Sequence, residues 1–368
     1  MKTLFATAAL AAFLTSALAQ TGVAPIGTVS NIKKTGKKFT LRKQVPVWPN
    51  HGSIERLAPE FDSLVAPGVE MERLAEGFDW SEGPVWLRRE QAIVFSDVPK
   101  NIAYRWSEAD GLGVFLHPSG YAGHSRNDKE LGSNGLATDR GGNLLLCQHG
   151  NRQIARLVRR EGTNGVFETV VPHFQHRRFN SPNDLVVTRK GDLYFTDPPY
   201  GLNGLNDSPL KELMFNGVYL ARKSGEVVLL TTEMTFPNGI ALSPDEKTLY
   251  VNQSDGNAPI IRAFDVKPDG TLANSRVFFD CKPLAQQGRK GGPDGLKVDL
   301  KGNLWTSGPG GILVISPEGK HLGSLLTGEN TANCGWGDDG QTLYITADMY
   351  LLRIRTLVAG IGFEAPPY

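Results

Sequence analysis

Six stretches of this chain read alike, and that repetition constrains the fold more than any other feature. Each opens on a polar residue: Glu82, Asn134, Asn183, Asn238, Asp294 and Asn333. A short alternating run follows, then a turn, then a second β-rich run at 93–97, 143–147, 192–197, 248–252, 303–307 and 342–346. The turns carry hairpin chemistry: Arg140-Gly141-Gly142, Lys190-Gly191, Pro244-Asp245-Glu246, Lys301-Gly302 and Asp338-Asp339-Gly340. The first copy has Arg88-Arg89-Glu90 instead. The period runs from 39 to 56 residues. After each of the first five hairpins comes another pair of strand-like runs. Four strands per unit at this period predict a β-propeller, here with six blades. The sixth unit has only a third strand, 351–357, before the chain ends. Its fourth is expected from 70–74, just ahead of the first unit, which closes the last blade and removes an open sheet edge.

The division of the chain follows. Residues 1–19 read as a signal peptide: Lys2 is followed by an apolar run and by Ala17-Leu18-Ala19, a small-x-small cleavage pattern. Residues 20–68 form an extension with a basic run, Lys33-Lys34, Lys37-Lys38 and Arg42-Lys43, read as a solvated arm. The propeller takes 69–368. An exported protein, periplasmic or secreted, is expected, with no membrane insertion beyond the leader. The net charge of +1 gives no overall field toward nucleic acid. Three cysteines, Cys147, Cys281 and Cys334, are too few for a disulfide scaffold. Asn206-Asp207-Ser208 and Asn252-Gln253-Ser254 match the N-glycosylation pattern.

In a propeller the inner strand of every blade starts at one level around the axis. The six lead residues therefore form a ring of side-chain oxygens, two of them acidic. Such a set suits a hard divalent cation, Ca²⁺ first, with Zn²⁺, Mn²⁺ or Mg²⁺ as alternatives. The ring has no histidine or cysteine, which argues against a dedicated zinc site. Asn and Asp at strand starts also cap turns, so the paired acids Glu82 and Asp294 carry the metal reading.

Four motifs in register now resemble a known family: Ser81-Glu82-Gly83-Pro84-Val85-Trp86, Ser181-Pro182-Asn183-Asp184-Leu185, Phe236-Pro237-Asn238-Gly239-Ile240 and Gly292-Pro293-Asp294-Gly295-Leu296. They are similar to the SMP-30/gluconolactonase/luciferin-regenerating-protein family. Cys147-Gln148-His149-Gly150-Asn151-Arg152 and the run from Tyr194 to Gly201 resemble its gluconolactonase branch. The resemblance covers about 70–357. It implies a six-bladed propeller with one axial divalent metal, a small-molecule lactone substrate and hydrolysis. It implies Glu82, Asn238 and Asp294 as metal ligands, with Asn183 ligating metal or touching substrate. It also places the general base at Asp294, with Glu82 as the rival.

Substrate contacts are expected from Asn134 and Asn183 and from the returning second strands and their loops, at His149, Asn151, Arg152, Asp197 and Tyr200. His149 suits a sugar hydroxyl or proton transfer, and Arg152 a carboxylate or an acidic neighbour. Two other readings stand beside lactone hydrolysis: a phosphotriester hydrolase on the same metal, and a propeller that binds a ligand without chemistry. The sequence leaves the oligomeric state open.

Overall fold

The computed structural model describes residues 47–123 and 130–363. The leader, the basic run and His124 lie outside the described residues. From Pro49 onward the chain forms one compact unit, almost wholly β, in six antiparallel sheets.

The inner and second strands of the six blades run as follows: Ser81–Leu87 with Ala92–Asp97, Ser133–Thr138 with Leu144–Gln148, Leu185–Val187 with Leu193–Asp197, Pro237–Leu242 with Thr248–Gln253, Leu296–Val298 with Leu304–Gly308, and Thr331–Gly337 with Thr342–Ala347. Each inner strand packs against the inner strands of both neighbours, and the sixth packs against the first. The result is a six-bladed β-propeller.

Sheet position explains the sequence pattern. Leu144–Gln148, Leu193–Asp197 and Thr342–Ala347 are buried along their whole length, because blades lie on both faces. They therefore read as near-continuous apolar runs rather than alternating ones. The fourth strand of blade four, Leu272–Asp280, is largely exposed and correspondingly polar. Packing between blades is aromatic: Trp86 of blade one stacks on Tyr344 of blade six at 6.0 Å between centroids, and Trp305 of blade five meets Trp336 of blade six edge-on at 5.6 Å.

The hairpin turns fall where the sequence puts them. The residue with left-handed backbone is Gly142, Gly191, Glu246, Gly302 and, in the last blade, Gly340. In the first blade, which lacks glycine there, Gln91 takes that conformation at φ 46°.

The outermost strand of the sixth blade is Glu72–Glu76, paired antiparallel with Tyr350–Arg355. It begins two residues later than the expected 70–74. A second strand precedes it. Ser53–Arg56 pairs with His321–Leu326, so blade five has five strands. Arg289 bridges Glu55 of this strand with two 2.9 Å hydrogen bonds. All three cysteines are free and buried. No helix among the described residues is long and apolar enough to cross a membrane.

Candidate active site

The lead residues are held by the neighbouring blade through backbone contacts. Asp294 illustrates the device. Its carbonyl accepts from the Gly239 amide at 2.9 Å and from Asn252 Nδ2 at 2.6 Å, while its own amide donates to Ser307 Oγ at 2.8 Å. Thr196 Oγ1 donates to the Asn238 carbonyl at 2.7 Å, and Ser96 Oγ to that of Asn134 at 2.9 Å. This closeness dictates the glycine that follows most lead residues. A Cβ on Gly239 would sit 2.1 Å from the Asp294 carbonyl oxygen, and one on Gly295 would sit 1.9 Å from Asn333 Cγ. Only glycine permits such an approach.

Blade three breaks that rule. Asp184 stands where Gly83, Gly135, Gly239 and Gly295 stand in other blades, and its side chain is 2% exposed. Its Oδ1 accepts from the Leu185 amide at 2.8 Å. Its Oδ2 lies 3.4 Å from Asn333 Nδ2 and 3.6 Å from Lys297 Nζ. Glu82, also buried, accepts through Oε2 from the Gly83 amide at 2.6 Å and from Asn333 Nδ2 at 3.2 Å. Asp294 is hydrogen-bonded to the Asn238 side chain, whose Nδ2 also donates to Ser254 Oγ at 2.8 Å. Three carboxylates thus act on one another. Burial, then the charge of Asp184, pushes the Glu82 carboxyl up to about 7. Burial, then the charges of Glu82 and Asp184, pushes Asp294 well above the usual carboxylate range.

The expected substrate contacts separate into three groups. Tyr200 joins the ring: its hydroxyl is hydrogen-bonded to Ser254 and Asn238, and burial pushes its phenol up. His149 is buried with both ring nitrogens lacking a hydrogen bond, and Nδ1 lies 3.5 Å from Glu130 Oε2. The charge of Glu130 reaches both Asp294 and Tyr200. Asn151 instead lines a cavity of about 150 Å³ with Ser119, Tyr121, Gln148 and Phe167, and donates to Gln148 Oε1 at 2.9 Å. Arg152 is turned into the protein. Its guanidinium donates to the carbonyls of Phe179 at 2.5 Å and Leu210 at 2.8 Å and meets Glu212 at 3.5 Å. Of its two expected partners, a substrate carboxylate and an acidic neighbour, it has the second. Asn183 is buried at its strand start, its amide donating to the Thr196 carbonyl at 2.9 Å. Asn252 is fully buried and bonds Asp294 and Thr306, so its glycosylation pattern has no accessible acceptor.

Asp184, Lys297, Glu130 and Ser254 complete the site without having been singled out from sequence. Asp184 had a readable signal, the one acid in the glycine place of the repeat. Lys297 carries no such mark, since its side chain alternates along a strand like any other.

The donor set fits a hard cation. Among the described residues no three His, Cys, Asp or Glu side chains are grouped as a metal cage. The ring relies instead on carboxylates mixed with amide carbonyls. Asn134 Oδ1 is buried with no hydrogen-bond partner, an orphaned acceptor on this ring. Carboxylates raised by burial and by one another's charge, and a partnerless carbonyl, are what a bound dication would satisfy.

Comparison with known proteins agrees with this fold. Residues 80–348 match the family model described as the SMP-30/gluconolactonase/LRE-like region. A gluconolactonase of Zymomonas mobilis is 38% identical over 317 residues, covering 84% of this chain and 87% of its own. The solved structure of a Xanthomonas campestris gluconolactonase, 30% identical, superposes with a TM-score of 0.72, covering 86% of this chain and 99% of that one. A regucalcin of Agrobacterium tumefaciens, described as calcium-binding and 18% identical, shares the fold at a TM-score of 0.60, covering 78% of this chain and 94% of its own. The chain belongs to the SMP-30/gluconolactonase/LRE-like family.

Proposed function

We propose that this protein is a lactonase that opens a sugar-derived lactone by base-assisted attack of water. The observation that carries this reading is that Glu82 and Asp184 lie 3.2 and 3.4 Å from one Asn333 Nδ2, that their charges act on Asp294, and that the charge of Asp294 reaches Tyr200. The similarity to gluconolactonases supports the substrate class. A single divalent cation, Ca²⁺ first, is proposed at Glu82, Asn183, Asn238 and Asp294. When bound, it supplies polarisation of the lactone carbonyl and positive charge for the oxygen that becomes negative.

The chain's own residues do the rest. Asp294 accepts a proton from water as the water oxygen adds to the carbonyl carbon. When the ring C–O bond breaks, that proton passes to the departing alkoxide, leaving a hydroxy acid. The backbone bonds of Asp294 to Gly239, Asn252 and Ser307 fix the direction of this carboxylate. Tyr200, anchored by Asn238 and Ser254, offers a hydroxyl beside it for a substrate hydroxyl. His149 and Glu130 form a second polar pair toward the same group. Export is proposed on the strength of the apolar leader at 1–19, and N-terminal sequencing of the mature protein tests it.

A panel of aldonolactones and phosphotriesters, assayed with and without chelator, tests the function. Turnover of an aldonolactone, abolished by chelation and regained with Ca²⁺, is the expected result. Faster turnover of the phosphotriesters overturns the substrate class, and inactivity on the whole panel overturns the enzyme reading.

A further inference from the structure

Lys297 lies three residues past Asp294 on the inner strand Leu296–Val298. Its ammonium is turned toward the ring of oxygens. Nζ lies 3.6 Å from Asp184 Oδ2, 3.3 Å from Asn333 Oδ1 and 3.0 Å from the carbonyl of Leu296. Its charge also acts on Glu82.

These contacts settle the role of Asn333. Its Oδ1 accepts from Lys297 and from the Cys334 amide at 2.9 Å. Its Nδ2 therefore faces Glu82 Oε2 at 3.2 Å and Asp184 Oδ2 at 3.4 Å. The amide orientation follows from this hydrogen-bond network. Among the lead residues, Asn134 keeps a side-chain oxygen with no hydrogen-bond partner. Asn333 is instead a donor that ties two carboxylates together, with Lys297 behind it.

We infer that Lys297 is a resident counter-charge that sets the axial site to accept a divalent rather than a trivalent cation, an inference that rests on the metal site proposed above. The charge balance is direct. Glu82, Asp184 and Asp294 bring three negative charges when ionised, and Lys297 brings one positive charge. The remainder is balanced by a dication. Removing the lysine charge leaves a remainder that a trivalent ion balances. With Glu82 and Asp184 buried and the Lys297 side chain 27% exposed, one unit of charge across several ångströms changes relative affinity by roughly ten-fold. Lys297 is thus a specificity-determining residue of the cation site rather than a catalytic one.

The test compares Tb³⁺, followed by its sensitised luminescence, with Ca²⁺ as competitor, on full-length wild type, Lys297→Met, Lys297→Arg and Asp184→Asn. The expected result is a Tb³⁺-over-Ca²⁺ preference about ten-fold higher in Lys297→Met. Lys297→Arg keeps the wild-type ratio, and Asp184→Asn shifts it toward Ca²⁺. If Lys297→Met does not fold, the opposite shift in Asp184→Asn carries the same test. Binding with an unchanged ratio in the folded variants overturns the role of Lys297 alone. Absence of both ions from the wild type overturns the metal site itself, and this inference with it.

Discussion

Two sets of buried carboxylates sit in this propeller and are held in different ways. Asp97 and Asp197 end the second strands of blades one and three and are fully buried. Asp197 accepts the amides of Asn180 and Ser181, each at 2.8 Å. Asp97 accepts those of Asp79 and Trp80 at 3.2–3.3 Å and pairs with Lys100 at 3.2 Å. Each carboxylate clamps the segment that enters its inner strand. Glu82 and Asp184 are as withdrawn from bulk water and Asp294 is half-buried, yet their strongest neighbours include one another. A raised pKa does not separate the sets: Asp197 and Glu82 are both pushed up to about 7. The cause does. For Asp197 it is burial, opposed by two amides, while for Glu82 it is burial reinforced by a second carboxylate. Mutual repulsion left in place supports the cation site proposed at Glu82 and Asp294.

The largest effect expected from this contrast is on Asp294. Asp294→Asn keeps a carbonyl oxygen but removes the proton acceptor, so kcat should fall by about 10²–10⁴. Saturating Ca²⁺ should not restore it. Asp197→Asn should leave kcat near the wild-type value, because its carboxylate faces backbone amides. Equal losses in the two variants would erase the distinction between the sets.

A smaller effect belongs to Glu82. Glu82→Gln removes ligand charge without touching the proposed base, so Ca²⁺ affinity should fall by about 10- to 100-fold. Excess metal should recover most of the rate. Rescue of Asp294→Asn, with no rescue of Glu82→Gln, would reverse the two roles.

The smallest effect is on stability against pH. The folded-state pKa of Asp197, about 7, lies above the ordinary value of 3.8. Between those values the folded protein holds a proton that the unfolded chain has released. The contribution of Asp197 is therefore complete at low pH and is lost as pH rises through 7. Urea melts of wild type between pH 4.5 and pH 8 should show this decline, and Asp197→Asn should make it shallower, the remainder coming from Glu82 and Asp294. Asp197→Asn also leaves one amide without its acceptor, at about 1–2 kcal/mol independent of pH. An unchanged slope in the variant would remove Asp197 from this account.

Much of this was readable in the sequence. The period, the turns and the lead residues give six blades and the ring, since hairpin chemistry and burial on both faces leave local marks. Ser53–Arg56 was not readable: a short polar strand added to an outer edge repeats nothing and buries little. Arg152 was ambiguous, because an arginine beside a loop looks the same whether it meets substrate or carbonyls on neighbouring segments. Its partners, at Phe179, Leu210 and Glu212, are set by tertiary structure alone. Asp184 was legible only as an exception to the glycine rule, and that rule becomes visible once the contacts between blades are known. Lys297 depends on which way one strand turns.

The most direct measurement of the central claim is aldonolactone hydrolysis by the chelated protein as Ca²⁺ is added back, run on wild type, Glu82→Gln and Asp294→Asn. The account predicts no activity without metal and a saturable return in wild type. Glu82→Gln should return at higher Ca²⁺, and Asp294→Asn should remain low at every concentration. A rate in the metal-free wild type equal to that of the untreated protein would contradict it.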